Sequence, residues 1–70
     1  MMARKRPISM GERFARASTP GHVYVVVALV EKPGHPLHVR LAAEGGVPVD
    51  EILVGASALL DPAIWLRVGD

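Results

Sequence analysis

Residues 22–31 read His22-Val23-Tyr24-Val25-Val26-Val27-Ala28-Leu29-Val30-Glu31, the densest block of β-branched side chains in the sequence. Pro20-Gly21 precedes this block and Pro33-Gly34 follows it, and both dipeptides are typical of turns. The block is too short to span a membrane as a helix and too rich in valine for a soluble helix. It therefore predicts one long buried β-strand around which the rest of the chain is arranged.

The turn after this strand predicts the register of a hairpin. In Lys32-Pro33-Gly34-His35, proline suits the second position of a tight turn and glycine the third, which requires a positive φ. Antiparallel pairing of residues 22–31 with residues 36–43 then makes one face wholly apolar, with the pairs Val30 and Leu37, Ala28 and Val39, and Val26 and Leu41. The other face is mixed, with the pairs Leu29 and His38, Val27 and Arg40, and Val25 and Ala42. A slip of one residue would exchange the faces, so this register is the one we predict.

The other predicted elements are short. Alternation over residues 11–16 indicates a first strand with Phe14 turned inward, and residues 17–21 read as a loop. After a loop at residues 44–50, alternation resumes at Ile52, Val54 and Ala56 as a fourth strand. Ser57 is placed to cap a 3₁₀ turn that ends at Asp61-Pro62, and residues 63–68 predict a fifth strand.

Size and composition limit the stability of this domain. The chain has 70 residues and no cysteine, so neither a disulfide nor a cysteine-based zinc site can stabilise it. We expect residues 1–8 to form a basic, flexible tail and residues 9–70 to form a single domain. Half of the residues are hydrophobic, more than a core of this size readily buries, which favours a partner or self-association.

Five short strands, with the longest second and a 3₁₀ turn before the last, resemble the SH3-like small β-barrels, which include Tudor-like and KOW-like modules. The resemblance implies an all-β, five-stranded barrel, and it leaves function open because such barrels bind peptides, modified tails, RNA or DNA. Nearly the whole chain also resembles short uncharacterised proteobacterial proteins, which supply no catalytic residue. The pattern that carries this second resemblance is Gly11-x-x-Phe14-x-Arg16, Tyr24-x-Val26, Leu29-Val30, Gly34-x-Pro36-x-His38-Val39-x-Leu41 and Ser57-x-Leu59-Leu60-Asp61-Pro62-x-x-Trp65.

The mixed face of the predicted hairpin is the first candidate site. Its apolar side chains would lie beside polar His38 and Arg40, as in an interface with a polar rim. Trp65 has two interpretations, as an anchor for a partner or as a ring that closes the barrel. The candidate protein interface therefore consists of Val25, Val27, Leu29, His38, Arg40 and Trp65. It predicts a non-catalytic interaction module that binds a protein partner or its own copy.

Charge asymmetry supports an alternative function. Up to Arg40 the chain has seven basic and two acidic residues, and from Leu41 onward it has one basic and five acidic residues. Clustered cations neutralise phosphates, although interleaved aromatic rings for base stacking are missing. The alternative function is therefore weak, sequence-independent nucleic-acid binding through Arg4, Lys5, Arg6, Arg13, Arg16 and Arg40. The competing interpretation is that the basic residues of the tail only increase solubility.

No pattern in the sequence indicates catalysis. His35 and His38 have a spacing seen in some metal sites, but no carboxylate or cysteine nearby completes a ligand set. Ser57 lacks the glycine-flanked turn of a hydrolase nucleophile. We therefore expect no enzymatic activity, no cofactor and no metal. Because Pro7 and Gly11 interrupt the segment after the basic start, we also expect a cytoplasmic protein with no membrane association.

Overall fold

The structure is a computed structural model that describes residues 8–45 and 51–69. These residues form one antiparallel sheet of five strands and one short helix, which confirms the predicted all-β class. The elements in chain order are β1 (Arg13–Arg16), β2 (Thr19–Val30), β3 (His38–Ala43), β4 (Glu51–Gly55), α1 (Ala56–Leu59) and β5 (Trp65–Val68).

The strand order in the sheet is β4-β3-β2-β1-β5. Strands β1 to β4 therefore follow one another as neighbours, and β5 returns to pair with β1. In the part of the chain that the structure describes, β4 and β5 are the two edges, and no pairing closes the sheet between them. The sheet is thus open, and the predicted barrel remains a prediction.

The core lies on one side of this sheet. Phe14, Val26, Val39, Leu41 and Trp65 come from four different strands and are at most 5% exposed. Leu59 of α1 packs against them, as does Ile8, one residue before the predicted start of the domain. Because Ile8 and Leu59 come from outside the sheet, they cover this core-facing side. The predicted inward orientation of Phe14 is confirmed.

The hairpin of β2 and β3 forms as predicted, but only part of its register is right. The turn is confirmed: the His35 N–H donates to the Lys32 carbonyl at 3.0 Å, and Gly34 has a φ of 77°. Val26 pairs with Leu41, and Val25 pairs with Ala42, as predicted.

Nearer the turn the predicted pairs are wrong. Val30 pairs with His38, Leu29 with Val39 and Ala28 with Arg40. The register shifts between Val26 and Ala28, because β2 has one extra residue at Val27. Such a β-bulge bends the strand and increases its local twist.

The first loop is shorter than predicted, because β2 begins at Thr19 and only Ala17 and Ser18 form the turn. Arg16 pairs with Thr19, whereas Ala15 pairs with Val23, so residues 20–22 are extra on β2. Pro20 lies within this interruption. A proline is tolerated there because its missing N–H is not needed for a regular ladder.

The element before β5 is a four-residue α-helix rather than the predicted 3₁₀ turn. The Leu60 N–H donates to the Ala56 carbonyl with α-helical spacing, and a 3₁₀-type bond from the Asp61 N–H to the Ala58 carbonyl ends the turn. The predicted cap is wrong: Gly55 is the N-cap, it makes no side-chain cap bond, and Ser57 lies inside the helix. Burial of Leu59 stabilises this short helix.

Candidate interaction surface

The side of the sheet opposite the core presents a second, largely apolar surface, which we call the outer face. Directly paired residues in an antiparallel sheet project to the same side, and successive residues alternate. The register of all five strands therefore assigns to the outer face Arg13, Ala15, Val23, Val25, Ala28, Val30, His38, Arg40, Ala42, Glu51, Leu53, Leu66 and Val68.

The exposed apolar side chains of the outer face lie on the two edge strands. Leu53 of β4 is 56% exposed and Leu66 of β5 is 41% exposed. Between them lie smaller apolar side chains such as Val25 and Ala42, which are half-buried. Exposed leucines on both edge strands, on the same side of the sheet, leave apolar surface available to a partner.

The predicted interface residues divide between the two sides of the sheet. Val25, His38 and Arg40 lie on the outer face, as we expected. Leu29 does not, because the shifted register pairs it with Val39, whose side chain is in the core. Val27 is the extra residue of the bulge and is 37% exposed.

Trp65 belongs to the core and not to an interface. It is 5% exposed, and its ring meets that of Tyr24 edge to face, with the centroids 5.7 Å apart. The guanidinium of Arg16 lies over the Trp65 ring, 5.2 Å from its centroid. Almost none of the Trp65 surface is accessible to a partner, so we remove this residue from the candidate surface.

Charged side chains flank the apolar part of the outer face. Arg13 Nη2 donates to Glu44 Oε1 at 2.9 Å, and Arg40 Nε lies 4.0 Å from Glu51 Oε1. Each of these side chains is 42% to 51% exposed. Exposed pairs of this kind contribute little to stability, but in an interface they set orientation.

The basic residues predicted to contact nucleic acid do not form one cluster among the described residues. Arg13 and Arg40 lie on the outer face, each beside a carboxylate, whereas Arg16 lies on the core-facing side over Trp65. Arg4, Lys5 and Arg6 lie outside the described residues.

A groove of about 220 Å³ opens at the end of the outer face nearest the β2–β3 turn. Its lining combines apolar and basic side chains: Val30, Lys32, His35, Pro36, His38 and Leu53. His38 is held in place, because its Nδ1 lies 2.9 Å from the Pro36 carbonyl, which can only accept, so Nδ1 carries the proton. No carboxylate lines the groove, and an anionic group would therefore complement it.

Sequence reasoning missed two features of this surface. Leu53 was not identified, although the alternation of Ile52 and Val54 that predicted the fourth strand requires Leu53 to face the other way. The groove was missed because its residues come from β2, the turn, β3 and β4. Such a grouping depends on the final register, which the sequence pattern predicted only in part.

Residues 8–45 and 51–69 contain no group of three or more histidine, aspartate or glutamate side chains placed to hold a metal ion. The same ranges contain no helix long and apolar enough to cross a membrane. Comparison of the chain with protein-family models, with curated proteins and with solved structures finds no match.

Proposed function

We propose that this protein is a non-catalytic interaction module whose outer face binds a protein partner or a second copy of itself. The observation that carries the proposal is the contrast between the two sides of one sheet. Ile8 and α1 cover the core-facing side apart from Leu29 near the β2–β3 turn, which is 39% exposed. Leu53 and Leu66 remain exposed on the outer face, with charged pairs beside them. An apolar centre with a polar rim is the usual anatomy of a protein interface.

A matched pair of lysine substitutions tests this function. Leu53→Lys places a charge on the outer face, and Ile64→Lys places one at a similarly exposed site in the turn before β5, where Ile64 is 46% exposed. Self-association is measured by light scattering, and partner capture from native cells by pull-down with each variant. The proposal expects association to be weakened by Leu53→Lys and unchanged by Ile64→Lys. Equal behaviour of the two variants would contradict it.

We further propose that the sheet curls towards the SH3-like barrel that the sequence resembles. The order β4-β3-β2-β1-β5, with β5 returning to β1, supports this architecture. So do the two irregularities in β2, because bulges provide the bends that a small barrel requires. Nuclear Overhauser contacts between core-facing side chains of β4 and β5 in solution would test the curl directly, and they do not require the backbones of these two edge strands to pair.

Nucleic-acid binding is the second candidate function, supported by the excess of basic residues before Leu41. Affinity would come from displaced counterions, so it should fall steeply with salt. Changing Arg4, Lys5 and Arg6 together to alanine should flatten the slope of log affinity against log salt by up to about 3 on duplex DNA. A titration of labelled oligonucleotides at low and physiological salt that finds no binding would eliminate this candidate. The cytoplasmic location remains a prediction from the sequence.

A further inference from the structure

Among the described residues, no strand pairs with the outer edge of β4. β4 pairs with β3 on one side only, and no other strand within residues 8–45 and 51–69 pairs with its second edge. Natural edge strands usually carry lysine or proline, which discourage pairing with a further chain. β4 reads Glu51-Ile52-Leu53-Val54-Gly55 and carries neither.

The hydrogen-bond ladder shows which backbone groups face that edge. The Ala56 N–H donates to the Leu37 carbonyl at 2.9 Å, one step beyond the last pair of β3 and β4. Hydrogen-bonded and non-hydrogen-bonded pairs alternate along an antiparallel ladder, and this ladder has no register shift. Ile52 and Val54 therefore bond to β3. The N–H and C=O groups of Glu51, Leu53 and Gly55 point away from the sheet.

The outward N–H and C=O groups of β4 can form hydrogen bonds with the same groups of a second copy. In an antiparallel arrangement with a two-fold axis at Leu53, Leu53 meets its own counterpart, and Glu51 meets Gly55 of the other copy. Every outward N–H then faces an outward C=O, so the strand's free edge is satisfied in full. The exposed Leu53 side chains would also meet across the axis, and apolar pairs of this kind stabilise neighbouring strands.

The same arrangement brings complementary charges together. Gly55 pairs with His38, so Glu51 of the second copy would lie beside the groove that Lys32, His35 and His38 line. A lysine and two histidines line that groove, and no carboxylate does; Lys32 supplies the positive charge. Gly55 has no side chain, which leaves room for the incoming glutamate, and the symmetry repeats the contact on the other side of the axis.

We propose that the protein forms a weak homodimer in which β4 pairs antiparallel with β4 of a second copy, with each Glu51 bound in the other copy's basic groove. This inference rests on the proposed function, specifies a second copy as the partner, and confines the contact to the β4 end of the outer face and the free edge of β4. The contact is short and lies at the low end of interface sizes, so it dissociates on dilution.

Sedimentation velocity over a wide concentration series, combined with amide hydrogen exchange, tests the dimer. The wild-type protein shows a reversible monomer–dimer equilibrium, and the Leu53 N–H exchanges slowly only at concentrations where the dimer is populated. Leu53→Lys raises the dissociation constant by about tenfold or more, since like charges then oppose each other across the axis. Leu66→Lys, on the same face at the other sheet edge, leaves it unchanged.

A charge reversal separates edge pairing from other contacts. Glu51→Lys weakens the dimer because it places a cation beside Lys32, and adding Lys32→Glu to the same chain restores it. Circular dichroism shows whether each variant is folded. A dimer that is lost in Leu66→Lys but insensitive to Glu51→Lys would overturn edge pairing and leave the outer face as the interface. A wild-type protein that stays monomeric throughout would overturn the dimer, and the proposed function would then depend on partner capture alone.

Discussion

The two sides of the sheet are built from alternate residues of the same strands, yet they have different surroundings. On β3, Val39 and Leu41 are fully buried, whereas the side chain of Arg40 between them is 51% exposed. The core-facing side receives Ile8 and Leu59 from outside the sheet, whereas on the outer face Ala15 is buried but Leu53 and Leu66 remain exposed. One alternating pattern thus specifies both a core and a surface for association, and the difference lies in what packs against each side.

Leucine-to-alanine substitutions should give the largest difference in free energy of unfolding between the two sides of the sheet. Leu41→Ala removes a fully buried side chain and leaves a cavity, so it should cost about 2–4 kcal/mol. Leu53→Ala removes an exposed side chain and should cost less than about 1 kcal/mol. Urea denaturation gives both values. Because a domain of this size has a net stability of roughly 3–5 kcal/mol, Leu41→Ala brings it close to unfolding. Equal costs at the two positions would refute our assignment of the faces.

Arginine-to-alanine substitutions should also cost more stability on the core-facing side than on the outer face, but the difference should be smaller. On the core-facing side, Arg67 pairs with Glu12 and lies over the Phe14 ring, 5.2 Å from its centroid, with its side chain 24% exposed. On the outer face, Arg40 lies 4.0 Å from Glu51 in a more exposed pair. We expect Arg67→Ala to cost about 1–2 kcal/mol and Arg40→Ala less than about 0.5 kcal/mol. Thermal denaturation at low and high salt provides the check, and a larger cost for Arg40→Ala would contradict the expectation.

Several parts of the fold follow from local chemistry and could be predicted. Only glycine readily adopts the positive φ that Gly34 has, and proline before it favours the same turn, so the sequence located this hairpin. The valine-rich block predicted β2. The pair of Val26 and Leu41 agrees with the prediction only because the bulge at Val27 offsets the one-residue difference in register next to the turn.

Other features depend on interactions that the sequence pattern does not record. Ser57 looked like a helix cap, but the chain leaves β4 directly into α1 so that Leu59 reaches the core, and Gly55 becomes the N-cap. The orientation of Leu29 was mispredicted because a bulge changes the register without changing the alternation that precedes it. Assigning residues to the outer face requires the register of all five strands, so the sequence could predict only the part of this face near Val25, His38 and Arg40.

The bulge itself can be removed by a single deletion. Val25, Val26 and Val27 are identical neighbours, so deleting any one of them gives the same sequence and removes the extra residue of β2. The shorter strand can keep the pairs that flank the bulge, with a valine opposite Leu41 and Leu29 opposite Val39, and both sides of the sheet retain their residues. We therefore expect a folded domain whose stability changes by about 1 kcal/mol or less, measured by urea denaturation, with the pairs checked by nuclear Overhauser contacts.

A matched deletion in β3 provides the control. Deleting Arg40, which lies in the regular ladder to β4, makes Val39 and Leu41 neighbours, so alternation can then bury only one of these two core side chains. This variant should lose cooperative unfolding. If the valine deletion were equally damaging, the bulge would be required for folding, because the bend that it introduces would be needed to bring β3 and β4 over the core.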